Sequence, residues 1–347
     1  MQVLEKLQDI ATHLQIKYSD LFVCHSDYQL PKTSADVIAQ LQKLPQKMQF
    51  EYLNSLLRNS ILSIYYNGSL LLEKTQAIKA DYGIELDNTA SEVDWEFCEK
   101  LQNNNQGKGW WNQNFRVLRE EADGSLAVQK KDVIVHIQRS CHLRVEEQLA
   151  AVGDWVSVYT PSGQVIDQFY MAYGNFVSTF DDSTVFIYFN FSPEGAVAVM
   201  KELTIRLNKI EIPFIFHVLH NPSHYGRYDS AFLRINKERY TVVRQVIQSI
   251  YTQNQSHFQN QVPIFTKVLA PGLGLAEKPE QEFLFPEGFG LNRCQIVANA
   301  LLEAHKNGDE SKEARMKYIL KHFENLGINL ERPYLNPNSE DIYTPLY

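Results

Sequence analysis

Cysteine is scarce: four residues in 347, Cys24, Cys98, Cys141 and Cys294, stand far apart and form no C-x-x-C pair. That spacing excludes a disulfide scaffold and a zinc ribbon and fits reduced thiols. No run approaches the roughly 18 consecutive apolar residues of a membrane span. The first residues, MQVLEKLQDI, are amphipathic where a secretory leader would set a basic segment before an apolar one. A cytoplasmic protein that engages no membrane is expected. Positive charge is short as well. A formal net charge of -8 and a pI near 5.7 argue against a nucleic-acid partner, which would need a basic surface, but leave a local phosphate site open. Familiar catalytic signatures are missing too. No G-x-S-x-G elbow occurs, and the glycines of 270–277 (APGLGLAE) lack both a G-K-[ST] ending and a G-x-G-x-x-G frame.

What is present is material for a large core: 44% of residues are hydrophobic, with a mean hydropathy of -0.32, enough for one large domain or two ordinary ones. Up to about residue 105 the pattern is helical. Val3, Leu4, Leu7, Ile10 and Leu14 make one apolar stripe, and Phe50, Leu53, Leu56, Leu57 and Ile61 another, each read as a face to be buried. The segment 101–115, LQNNNQGKGWWNQNF, turns abruptly to Asn, Gln and Gly and marks a boundary. It divides a helical amino-terminal region, 1–105, from a second unit, 106–347. Strand patterns follow at 133–137, 155–159 and 165–172, and helices at about 241–254, 294–306 and 310–326, with Gly308 and Gly327 placed as caps. The fold class expected is α+β: a helical amino-terminal region followed by a mixed β-sheet flanked by helices.

The most informative stretch is 185–235. Residues 185–191 alternate as a strand, Ser192-Pro193-Glu194 reads as a helix start, and Ala196, Met200, Leu203 and Leu207 recur at helical spacing. A second strand at 213–219 would then run parallel to the first, and a turn-rich segment, 221–229, leads to a third strand at 231–235. Tyr188, Asn190, His217, Arg227 and Arg234 would line one surface.

Three constellations invite a chemical reading. His217, His220 and His224 resemble metal ligands, but alternation turns His217 and His220 to opposite faces. His136, Cys141 and His142 lack a second pair, so no metal site is expected. The basic residues Arg227, Arg234, Lys267 and Arg293 fall in or beside loops, where they would clamp a phosphate; the plainer reading pairs each with a carboxylate such as Asp229 or Glu277.

Four segments carry a resemblance: YFNFSPEGA (188–196), PFIFHVLHNPSHYGRYDSAFL (213–233), VPIFTKVLAPGLGLAEKP (262–279) and FGLNRC (289–294). Together they are similar to the HopA-type effector family, which includes type III effectors of plant pathogens and the HopA-like lyase proteins of lanthipeptide biosynthesis. The resemblance spans roughly residues 115–310. It implies a phosphothreonine-lyase-like fold and a β-elimination without cofactor or metal, turning phosphoserine or phosphothreonine of a precursor peptide into a dehydroamino acid. A kinase or cyclase would be a further partner. The alignment puts His217 where that family's base is a lysine and Asn190 near the place of its acid, a histidine. Tyr225, His220 or His224 would then have to supply the acid. Arg227 and Arg293 match phosphate-binding positions, and Arg234 stands where a tyrosine is common. Since both proton-transfer positions depart from the pattern, a non-catalytic peptide- or protein-binding member, effector or scaffold, is the alternative.

Overall fold

The computed structural model describes residues 2–73, 93–176, 180, 183–283 and 288–346. The amino-terminal region is helical, as its stripes predict. Helix α1 (Gln2–His13) buries Leu7, Ile10 and Ala11. A short antiparallel hairpin follows, β1 (Leu14–Lys17) with β2 (Phe22–His25), which the helical spacing of Leu14 hid. After α2 (Ala35–Leu41), α3 (Gln46–Ile61) buries Leu53, Leu57 and Ile61 and runs into a π-helical turn, Leu62–Tyr66. Then come α4 (Ser69–Glu73) and α5 (Trp95–Asn104), the latter capped by Asp94, whose carboxylate accepts the Phe97 N–H.

Strand structure resumes sooner than the polar 101–115 composition suggests. Strand β3 (Trp110–Glu120) pairs with β4 (Leu126–Lys130) and β6 (Trp155–Thr160), and β4 with β5 (Val133–Ile137). This four-stranded sheet, with the short α6 (Arg139–His142), encloses its own small core of Phe115, Val117, Leu126, Val128, Ile137, Leu143, Val156 and Val158.

The main sheet has seven strands: β7 (Gly163–Ile166), β8 (Phe169–Tyr173), β9 (Thr184–Phe189), β10 (Ile215–Leu219), β11 (Ala231–Asn236), β12 (Lys267–Ala270) and β13 (Leu273–Glu277). Their order is β12-β13-β9-β11-β10-β8-β7. The stretch expected as one strand at 165–172 is a hairpin, turned at Asp167, whose φ is 51°. Helix α7 (Pro193–Lys209) starts as its sequence predicts, with Ser192 accepting the Gly195 N–H and proline at the first turn. It carries the chain from β9 to a parallel β10, but β11 lies between the two, so every neighbouring pair in this sheet is antiparallel. The glycines at 270–277 serve the β12–β13 turn. Gly272 sits at φ 73°, where a Cβ would meet the Gln259 carbonyl oxygen at 2.3 Å.

Period-two alternation gives β9 two buried rows. Phe189 on one row packs on Phe258, which packs in turn on Tyr251 of α8 (Tyr240–Asn254). Tyr188 on the other row meets Tyr66 edge-on, and Tyr66 lies against Gly290 of α9 (Phe289–Lys306). Helix α9 starts five residues earlier than expected, so Arg293 is inside the helix and 2% exposed. Helix α10 (Lys312–Asn325) completes the bundle against α9 and α1. Gly308 and Gly327 take the left-handed φ values of 75° and 67° that end these helices. The amino-terminal helices and the seven-stranded sheet share one continuous core.

Candidate functional site

The sheet register decides which polar residues meet. Phe232 on β11 stands opposite Tyr188 on β9 and opposite His217 on β10, and His217 opposite Met171 on β8. One rung further, Phe186, Arg234, Ile215 and Tyr173 align in the same way. Residues two apart on a strand share a face, so both rungs line the same surface, with Arg234 diagonal to His217.

Arg234 is the unusual group. It is half-buried, its Nε has no hydrogen-bond partner, and among the described residues no carboxylate forms an ion pair with it. The guanidinium rests on the Phe180 ring, 5.1 Å from the centroid. Burial lowers its pKa, partly offset by Tyr173. A cation taken from water with no counter-charge is a costly arrangement that an arriving anion would relieve.

His217 lies beside it, 8% exposed. Its imidazole stacks on Phe232, 4.1 Å between centroids and 15° between planes, and meets Phe169 edge-on at 6.0 Å. Burial first, and then Arg234, bring its pKa down to about 3. At neutral pH the ring is therefore uncharged, and its Nε2 is buried without a partner. Tyr173 adds a hydroxyl near Arg234, held by the Gln164 side chain at 3.4 Å; burial raises its pKa and Arg234 lowers it. No sequence pattern pointed to Tyr173. Only the β8–β10 register brings it to the site.

The other expected site residues are engaged elsewhere, although Asn190 Oδ1 is buried without a partner. Arg227 is held by both oxygens of Asp229, at 2.8 and 3.0 Å, and by Gln168 at 2.6 Å, which is the plainer carboxylate reading. Lys267 pairs with Asp341 at 2.7 Å and lies over Tyr334. Arg293 donates to the Pro333 and Leu335 carbonyls and to Asn292, and stacks on Phe289, so it fastens the carboxyl-terminal segment to α9. Burial raises the Tyr188 pKa, and among the lesser influences Asp229 raises it and Arg293 lowers it. Glu277 binds Lys237 and none of the four expected cations. Asn190 donates to the Gln261 carbonyl at 3.0 Å and is buried, two strands over from His217 or about 10 Å across the sheet. The Tyr225 hydroxyl donates to the Leu219 carbonyl inside the core. His220 is buried with Nε2 on the Asp167 carbonyl, while His224 is half-buried, its pKa lowered by burial and then by Arg227 and His220.

One further cluster was not legible in the sequence. Asp9, His13 and His25 bring ligand atoms within 4.8 Å of one another. The hydrogen bonds read as a closed chain. The Asp27 N–H donates to His25 Nδ1 at 3.0 Å, which leaves the proton on Nε2; that nitrogen donates to the Tyr65 hydroxyl at 2.7 Å, and Tyr65 donates to Asp9 at 2.8 Å. A His25 so engaged has no lone pair left for an ion.

Among the described residues no helix is long and apolar enough to cross a membrane. Residues 160–335 match the model of the HopA1 effector protein family. No curated protein matches the chain. Among solved structures, the chain is similar to the effector protein of Pseudomonas syringae pv. tomato strain DC3000, at 17% identity over 70% of this chain and 81% of that one, with a TM-score of 0.42. The effector protein of Pseudomonas syringae pv. syringae strain 61 gives the same identity, coverage and score.

Proposed function

Since the chain belongs to the HopA1 effector protein family, we propose that the face around Arg234 and His217 receives a phosphorylated serine or threonine of a peptide and eliminates its phosphate. The observation that carries this reading is Arg234, a half-buried guanidinium with no carboxylate partner among the described residues, beside a neutral imidazole with an unengaged Nε2. An arginine fork fits a phosphate, and among the described residues no carboxylate has to be displaced from it to admit one.

The residues divide the work as follows. Arg234 holds the phosphate and the Tyr173 hydroxyl donates to it. His217 Nε2 takes the α-proton, the C–H electron pair becomes the Cα=Cβ bond, and the Cβ–O bond breaks, releasing inorganic phosphate and leaving dehydroalanine or dehydrobutyrine. The proton on His217 returns to the departing phosphate or to water. A pKa of about 3 makes the free imidazole a weak base. A phosphate dianion on Arg234 removes the repulsion that helps depress that pKa and adds attraction, so substrate binding itself raises the basicity of His217. An earlier kinase step must supply the phosphorylated side chain.

A non-catalytic phosphopeptide-binding role is the second reading. It is favoured by the side chains of Asn190 and Tyr225, both tied to backbone carbonyls and so withheld from acid catalysis. Mass spectrometry of phosphothreonine and phosphoserine peptides incubated with the protein separates the two. Loss of phosphoric acid with a thiol-reactive product, abolished in His217→Ala and Arg234→Gln, supports the lyase. Saturable binding with the peptide left intact supports the binder.

A further inference from the structure

Helices α3 and α9 pack side by side, and a cleft of about 520 Å³ opens between them on the surface. Its floor is a set of interlocked amides. Asn54 and Gln295 both donate to Asn299 Oδ1 at 2.8 Å, and Gln295 also donates to Asn54. The Asn299 amide nitrogen has no partner among the described residues and sits on a half-exposed side chain.

The walls carry an excess of positive charge, with Lys47 paired to Glu51 at 3.9 Å. Lys47, Arg58 and Lys306 line the cleft, and Glu51 is the one carboxylate among its lining residues, leaving two positive charges in excess on a chain whose formal net charge is -8. Arg58 has only amide partners, Gln295 at 3.2 Å and Asn59 at 3.3 Å, and among the described residues no ion pair. Lys306 lies over the Phe50 ring at 4.2 Å. Phe50 and Leu302 supply apolar wall beside these cations.

We propose that this cleft docks an extended acidic peptide segment of a partner, independently of the Arg234 site. Side-chain amides pair with peptide N–H and C=O groups, the cations take carboxylates, and the apolar wall takes an intervening aliphatic side chain. A bare anion would use the charge but leave the amides and Phe50 without a role.

The test is fluorescence anisotropy with a labelled peptide of about twelve residues, roughly 40 Å when extended, alternating glutamate and leucine. Saturable binding is expected, weakening at least ten-fold in Lys306→Glu, whose side chain is exposed and whose replacement leaves the core intact. Arg58→Gln should weaken it less, and affinity should fall as salt rises. A peptide with lysine in place of glutamate should not bind, and Arg234→Met should bind as the native chain does, so failure at the phosphate site and failure here are separable. The proposal is overturned if Lys306→Glu binds unchanged, if the lysine peptide binds equally well, or if anionic phosphatidylserine vesicles bind while the peptide does not.

Discussion

His217 and Phe232 stack face to face, 4.1 Å between ring centroids, on the same surface as Arg234, whose Nε is buried without a hydrogen-bond partner. An imidazole pressed between that ring and Phe169 cannot be protonated without placing a charge in the core and beside a second cation. Burial and Arg234 accordingly hold its pKa down to about 3, against 6.5 for the free side chain. Between those values the unfolded chain binds a proton that the folded chain refuses. This residue's contribution to stability is therefore complete above pH 6.5 and is lost as the pH falls towards 3, at no more than about 1.4 kcal/mol per pH unit. Urea unfolding across this range should show the midpoint falling with acid. His217→Phe, which keeps the stacking, should flatten the slope. Equal slopes in the two proteins would show that other groups set the acid sensitivity.

Arg234 should behave as a residue kept for binding at some cost to folding. Arg234→Met fills similar space and removes a desolvated charge that has no ion pair among the described residues. The expected outcome is an unfolding free energy unchanged or raised by about 1 kcal/mol, together with at least a ten-fold loss of phosphopeptide affinity. Calorimetric melting and anisotropy on the same preparation check both halves. A clear fall in melting temperature would mark Arg234 as a packing residue instead.

The contrast between Arg234 and the other three cations shows where sequence reading stops. Local rules were sufficient for the Ser192-Pro193 helix start, the caps at Gly308 and Gly327, and the strands around His217, because each depends on residues a few positions apart. Apart from Arg227, whose partner Asp229 is two positions away, the pairing of these cations depends on contacts far along the chain. Lys267 meets Asp341, and Arg293 meets the Pro333 and Leu335 carbonyls, 74, 40 and 42 positions away. Tyr173 reaches the site through strand register, and β11 separates two parallel strands through topology, neither of which has a local signal. The hairpin at 14–25 was hidden for a different reason: its residues continue the apolar spacing of α1.

Gly290 is where α9 meets the Tyr66 ring. A Cβ there would lie 2.4 Å from two ring carbons of Tyr66, a buried ring that stands edge-on to Tyr188. Alanine is the better helix former by about 1 kcal/mol, yet overpacking a fixed aromatic costs about 1–3 kcal/mol. Gly290→Ala should therefore lower the urea midpoint. Tyr66→Phe, which keeps the ring, should not relieve it, whereas Tyr66→Leu combined with Gly290→Ala should recover part of the loss. A neutral or stabilising Gly290→Ala would mean that α9 shifts freely.

Glu277 fastens the carboxyl-terminal segment to β13. Its Oε1 accepts from Lys237, Ser339 and Tyr343, each at 2.7 Å, and its Oε2 accepts the Asn336 N–H at 2.9 Å. Burial pushes this carboxyl's pKa up, but the hydrogen bonds outweigh it and the net shift is downward. The contribution is thus present above the ordinary carboxylate range and disappears as the pH drops through the lowered value. Glu277→Ala removes the carboxylate from the Lys237 ammonium, which keeps Ser339 and the Glu340 carbonyl, and releases three tail residues at once, at a cost of about 3 kcal/mol. Glu277→Gln keeps the shape and some of the hydrogen bonds and should cost less. Urea unfolding measures the difference, and carboxypeptidase digestion locates it: the tail should be trimmed faster in the alanine variant than in the native chain. Equal trimming rates would show that Arg244, which holds the Thr344 and Pro345 carbonyls, anchors the tail without Glu277.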